Sequence, residues 1–234
     1  MHLIILPYYC EKEIENFCKI ADIWKQLTKT KLEYEFILAA QFDFKPSQKL
    51  ENVFSKIAPI HHLRCEIKGK GLRHPKKGYS MDGPTAMFWN SMEYITLNFE
   101  DDGDFSLWLE HDMIPLVPDW LDQLDEEWKE GEQIVMGRYM NMNRPHINGG
   151  ACYSKSLADI LYKQRGRPKK PFDLEMFQFV KGRHKRTKLI EFWFQAKTMG
   201  KRVPQQETVL LHGVQDNSAI EYTIKRNNLS DGSV

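Results

Sequence analysis

Hydrophobic and polar positions in this chain recur with two different periods, and the switches between them mark out its elements. Leu3 to Leu6 is an unbroken apolar run of the kind found in a strand buried on both faces, and Pro7 ends it. From Glu11 to Leu27 the period lengthens, so that Ile14, Phe17, Ile20, Ile23, Trp24 and Leu27 share one side of a helix. A second strand is predicted over Tyr34–Ala40, closing on Gln41, Phe42 and Asp43. A Pro-Ser start then leads into a helix over Leu50–Ile57. Between Arg64 and Pro84, glycine and basic residues mix without a period, which reads as a loop. Pro84 opens a further helix through Ala86, Met87, Trp89 or Asn90, and Tyr94. The run LWLEHDMIP predicts a strand that ends in Glu110 and Asp112. Beyond it come an amphipathic helix over Asp119–Lys129, a strand in IVMGRYM, the segment RPHINGGACYSKSL, and an apolar strand in TVLLHGVQDNS that ends at His212. Strands alternating with helices in this order argue for a parallel sheet with helices packed on its faces. Ligands of such sheets gather outside the carboxyl ends of the strands, where Pro7, Tyr8, Asp43, Glu110 and Asp112 lie.

With 234 residues, 41% of them hydrophobic, the chain is long enough for one compact domain with a sizeable core. A net charge of +1 gives no general pull toward nucleic acid or membrane, but charge is segregated along the chain. Lys163 to Lys188 holds ten Lys or Arg against Asp173 and Glu175, a local excess of +8, while Glu93 to Glu130 is acidic. Cys10, Cys18, Cys65 and Cys152 show no C-x-x-C spacing, which points to neither a zinc site nor a disulfide framework and fits a reducing, cytoplasmic compartment. The apolar run LIILPYYC is too short for a signal-peptide core or a membrane span, so no transmembrane segment is expected.

Within this frame, several residue groups carry possible chemistry. Side chains two apart on an extended strand share a face, so Glu110 and Asp112 can reach one point beyond the strand end, where a hard cation takes carboxylate oxygens and completes its shell from phosphates and water. The same pair is equally ordinary solvated turn chemistry. The basic loop could clamp a diphosphate through Lys70, Arg73, Lys76 or Lys77, or simply be solvated. Gly149 and Gly150 either let another molecule approach the backbone or accommodate a bulge. His212 reads as a satisfied structural histidine unless it meets the acidic pair.

The order of these parts is a strand, an Asp-ended strand, a basic glycine-containing loop, an acid-x-acid strand exit, N-G-G and a late His-Gly. From about Leu3 to Asn217 it resembles the nucleotide-sugar-dependent glycosyltransferases of the GT-A fold, including the small ones found among viral and bacterial genes. The resemblance implies a Rossmann-like α/β fold with a mixed, mostly parallel sheet and helices on both faces. It implies one domain over 1–234: a nucleotide-binding half over about 1–112, an acceptor half over about 113–217, and a C-terminal tail over 218–234. The acid-x-acid motif of that family is usually D-x-D and binds Mn²⁺ or Mg²⁺ on the donor's diphosphate; here it reads E-H-D, with Glu110 in the first place, Asp112 in the last and a late His212 as third ligand. A nitrogen ligand beside carboxylates favours Mn²⁺. By the same resemblance Asp43 contacts the base, while Pro7, Tyr8, Lys70, Arg73, Asp82 and His111 border the nucleotide-sugar donor, and Asn148, Gly149 and Gly150 line the sugar and acceptor site. Asp173, with Glu175 as second choice, would take the acceptor's proton; both also fit helix N-terminal carboxylates. The Lys163–Lys188 segment could follow nucleic-acid phosphates or hold an anionic glycan or lipid headgroup, or it could be solvated. Two other classes stay open. A sugar-phosphate nucleotidyltransferase would need a glycine-rich turn where Pro7, Tyr8 and Tyr9 stand, and the last class is a non-catalytic nucleotide- or carbohydrate-binding protein.

Overall fold

The computed structural model describes residues 1–41, 44–65, 82–100, 103–141, 145–164, 171–180, 182–214 and 216–230. The chain runs through β1 (His2–Tyr8), α1 (Glu11–Leu27), β2 (Tyr34–Ala40), α2 (Gln48–Phe54), β3 (Ile60–Arg64), α3 (Asp82–Asn98) and β4 (Phe105–Trp108). It continues through β5 (Met113–Pro115), α4 (Trp120–Lys129), β6 (Val135–Met140), β7 (His146–Ser154), α5 (Lys155–Gln164), α6 (Phe172–Val180), β8 (His184–Arg186), β9 (Ile190–Ala196), β10 (Leu210–Val214) and α7 (Ser218–Asn227).

Seven strands form one sheet in the order β3-β2-β1-β4-β7-β6-β8, and β5-β10-β9 form a small second sheet. β3, β2, β1 and β4 run parallel, β7 is antiparallel to both of its neighbours, and β8 runs parallel to β6. The sheet is therefore mixed and mostly parallel, as expected, and helices cover both faces. β1 shows why. Its unbroken apolar run sends Ile4, Leu6 and Tyr8 into a core shared with α1, α2, α4 and the small sheet, and Leu3 and Ile5 into a second core under α3, α5 and α6.

Three boundaries differ from the pattern reading. β1 continues through Pro7 to Tyr8. Tyr8 turns its carbonyl toward β2, accepting Gln41 N–H at 3.1 Å, so the neighbouring Pro7 faces the β4 side. There the last bond is Leu109 N–H donating to Ile5 C=O at 3.0 Å, and Pro7, with no N–H to give the next rung, ends the pairing with β4. LWLEHDMIP is two strands joined by a turn, closed by Met113 N–H donating to Glu110 C=O at 3.0 Å. Glu110 and Asp112 thus converge through a turn and not along an extended strand. The C-terminal stretch carries α7, which buries Ala219 and Thr223 and donates from Asn227 Nδ2 to Leu116 C=O at 3.0 Å. No helix of the described residues is long and apolar enough to cross a membrane.

Candidate active site at the carboxyl edge of the sheet

β1, β2, β4, β6 and β8 all end, and β7 begins, at one edge of the large sheet. The β4–β5 turn lies at this edge, and β10 brings His212 to it by pairing antiparallel with β5 in the register His212↔Met113. His212 Nε2 lies 3.3 Å from Glu110 Oε2 and 3.3 Å from Asp112 Oδ1. Burial alone would lower the His212 pKa, but the two carboxylates, Glu110 foremost, outweigh it and raise it to about 10. Burial would conversely raise Asp112, and the His212 imidazole beside it holds it below the ordinary carboxylate value.

Asp112 Oδ1 is closed off from solvent and, beyond that approach, receives no hydrogen bond; His212 Nδ1 is buried without a partner as well. A buried acceptor oxygen facing a second carboxylate and an imidazole forms a suitable donor set for a divalent cation. The three side chains are close enough to share one ion. A cation there would compete with the His212 ring proton, which the two carboxylates favour.

Both glycines of N-G-G press against this cluster. A Cβ on Gly150 would lie 2.5 Å from Met113 Sδ and 3.1 Å from His212 Nδ1; one on Gly149 would lie 2.7 Å from Phe172 Cζ and 3.1 Å from Glu110 Oε1. The pair is therefore a close-approach surface between β7, the β4–β5 turn and α6. Asn148 Oδ1 accepts Gly150 N–H at 3.2 Å. Phe172, seated on Gly149, brings the first turn of α6 alongside. There Asp173 Oδ1 accepts Leu174 N–H at 2.8 Å, and Oδ2 lies 3.4 Å from His146 Nε2. Glu175 follows on the same turn.

The middle residue of E-H-D points elsewhere. His111 turns onto α1, with Asn16 Nδ2 at 3.1 Å from Nδ1 and Glu13 Oε1 at 3.5 Å from Nε2, and its ring meets Phe17 edge-on. With the amide donating, the ring proton falls on Nε2, toward Glu13. Burial lowers the His111 pKa despite the flanking carboxylates. Both ring nitrogens thus face α1. Glu13 also accepts Tyr9 N–H at 2.8 Å. Burial pushes its carboxyl up to about 7, against the pull of that N–H.

Pro7 and Tyr8 lie at this edge too, but both are buried, and the Tyr8 hydroxyl accepts Ser47 N–H at 3.1 Å. Of the two tyrosines at the β1–α1 junction, Tyr9 is the exposed one, at 46%. Asp43, Lys70 and Arg73 lie outside the described residues, as do positions 165–170 and 181 of the basic segment. Asp82 opens α3, and its side chain is likewise outside them. The pattern reading missed Glu13, Asn16, Tyr9 and His146. Only Glu13 leaves a signal: an acidic residue placed four before Phe17 on the apolar stripe of α1.

No family model matches the chain, and no curated protein matches its sequence. Its structure is similar to that of the galactosyltransferase LgtC, solved with donor and acceptor sugar analogues: 12% identity, 98% of this chain against 96% of that one, TM-score 0.54. It is also similar to the bifunctional glycosyltransferase WbbM (11% identity, 95% of this chain, TM-score 0.57) and to S. aureus TarS (13%, 94%, 0.55). This chain spans about half of WbbM, 49%, and 38% of TarS. The strand order, the two sheets and these likenesses agree: the chain has the GT-A glycosyltransferase fold.

Proposed function

We propose that the protein is a metal-dependent glycosyltransferase that moves a sugar from a nucleotide-diphosphate sugar onto a hydroxyl of an acceptor such as a glycan. The observation that carries this reading is the approach of Glu110, Asp112 and His212 at the carboxyl edge of the sheet, at 3.3 Å for each carboxylate–imidazole pair. These three residues would hold Mn²⁺ or Mg²⁺, and the nitrogen ligand favours Mn²⁺. Such an ion acts as a Lewis acid that offsets the negative charge growing on the departing diphosphate. Tyr9 offers its exposed ring to the donor's base, and the bare backbone of Gly149 and Gly150 lets the sugar lie close against β7. Asp173, at the start of α6 and beside His146, is suited to accept the acceptor's hydroxyl proton. Of the described basic residues of the Lys163–Lys188 segment, Lys185 and Lys188 are paired with Glu130 and Glu207.

The test is hydrolysis of a panel of nucleotide sugars with and without Mn²⁺. Asp112→Asn should cut Mn²⁺-dependent release of nucleoside diphosphate by about 10²-fold, equivalent to about 2.7 kcal/mol of transition-state stabilisation. Wild-type rates in that variant would refute the assignment.

A further inference from the structure

Beyond Asp173, the same edge of the sheet carries a cation with no carboxylate partner among the described residues. Arg186 ends β8 and is exposed, and its guanidinium carbon lies 3.7 Å from the centroid of the Tyr139 ring. Among the described residues no carboxylate pairs with it, whereas Lys129, Lys155, Lys185 and Lys188 are all paired. The ladder explains the pose. Arg186 stands opposite Gly137, which has no side chain to block it, so the guanidinium can lie over Tyr139, two residues further along β6. On the same face His184 stacks parallel to Tyr139 with centroids 5.9 Å apart, and Phe177 packs beside both. A guanidinium held over an aromatic ring loses little freedom on binding, which suits bidentate capture of an oxyanion.

Topology sets where this fork stands. β6 and β8 end, and β7 begins, at the edge that holds the candidate metal ligands, so Tyr139, Arg186 and His146 share it. Phe177, in contact with Tyr139, lies one helical turn after Asp173 on α6. β8 is two strands beyond β7, about 10 Å at ordinary strand spacing. Along the edge the order is therefore the metal turn, the N-G-G surface, Asp173 with His146, then Tyr139 and Arg186. An acceptor that presents its hydroxyl to Asp173 would bring its neighbouring unit to the guanidinium.

We infer that the acceptor is an anionic glycan, with a phosphate or carboxylate on the unit next to the one that receives the sugar, and that Arg186 on its Tyr139 platform binds this oxyanion. The inference rests on the glycosyl-transfer reading above. Matched triples of disaccharide acceptors (neutral, bearing one phosphate, bearing a uronic acid) test it, with nucleoside diphosphate release in Mn²⁺ measured alongside direct binding by saturation-transfer NMR. The wild type should show an acceptor KM at least about tenfold lower for a charged member than for its neutral partner, with kcat little changed. Whether phosphate or uronic acid gives the lower KM identifies the oxyanion. Arg186→Ala should abolish the preference and Arg186→Lys should restore part of it, while Lys225→Ala on α7 should leave it intact. Equal use of neutral and charged members by the wild type, or a preference that survives Arg186→Ala, overturns the inference. So does Arg186-dependent binding of a single-stranded oligonucleotide in preference to every disaccharide. Arg186-dependent binding of a charged disaccharide with no release from any donor would keep the anion site and sink glycosyl transfer; transfer without charge preference would do the reverse.

Discussion

Glu13 ties two turns together with one carboxylate: Oε2 takes the Tyr9 N–H of the β1–α1 turn, and Oε1 faces His111 in the β4–β5 turn. Glutamine in its place has one acceptor and one donor. If its oxygen keeps Tyr9, its NH₂ meets the His111 N–H, and the ring must change tautomer or move. Glu13→Gln should therefore lower donor hydrolysis by roughly tenfold, about 1.4 kcal/mol. Stability should respond in the opposite sense. With the carboxyl raised from 4.5 to about 7, the unfolded chain sheds a proton that the folded chain keeps, so Glu13 lowers stability progressively as pH rises from about 4.5 to about 7. In protein stripped of metal, the Tm of the variant relative to wild type should rise across that window and level off above it. Constant Tm differences, or full activity, would remove Glu13 from this role. Little of this was legible beforehand: Glu110, Asp112 and His212 stand out as residue types at strand ends, but whether His111 points to the cleft or to α1 depends on the turn and the helix packed beside it.

Strand β7 meets the cleft through Gly149 and Gly150, and the two differ in what stands against them. Gly150 faces the Met113 thioether, which can bend, whereas Gly149 faces Phe172, already stacked on Phe88 at 4.2 Å. Gly149→Ala should therefore cost about 1–3 kcal/mol by overpacking. It should also depress turnover more than Gly150→Ala does, because the displaced Phe172 carries Asp173 with it. Thermal melts and donor hydrolysis on both variants check this, and a Gly149→Ala protein with unchanged Tm and rate would contradict it. The small sheet has its own fastening. Glu191 on β9 accepts from Trp193 Nε1 at 2.6 Å, Gln205 N–H at 2.9 Å and Thr208 Oγ1 at 2.9 Å. Partial burial would raise its carboxyl, but these donors hold it below its usual value of 4.5. Its contribution is thus fully present above pH 4.5 and is lost as pH falls through the lowered folded value. The Tm advantage of wild type over Glu191→Gln should shrink in acid and stay flat above pH 5; a gap independent of pH would count against it. Among the elements, β1, α1, β2, α4 and β6 were legible because each buries an apolar pattern of its own. The short β8, His-Lys-Arg, and β3, Ile-His-His-Leu-Arg, were not, since edge strands take their conformation from the neighbour they pair with.

The two sheets share one core: Leu6 and Leu38 of the large sheet belong to the same cluster as Met113, Ile190 and Leu211 of the small one. A single cooperative transition is the expected result, with far-ultraviolet circular dichroism and tryptophan fluorescence melting at one midpoint. An earlier, separate melt of the small sheet would divide the chain into two units. The alternation of strands and helices was enough to reach a layered α/β architecture, because period and order are local properties of the sequence. The meeting of the β4–β5 turn with β10 was not, because β10 pairs with a strand that lies far from it in the chain, and no local pattern records such a partner.

That late pairing bears on how the protein is made. A ribosome releases Glu110 and Asp112 long before it has synthesised His212, and β5 waits without its central partner until Leu210–Val214 emerges. During that interval the nascent chain holds two acidic groups and an unpaired strand edge but no complete site. The apolar side chains of β5 must meanwhile be sheltered by α1 or by a chaperone, and a message truncated ahead of β10 should yield an aggregation-prone product.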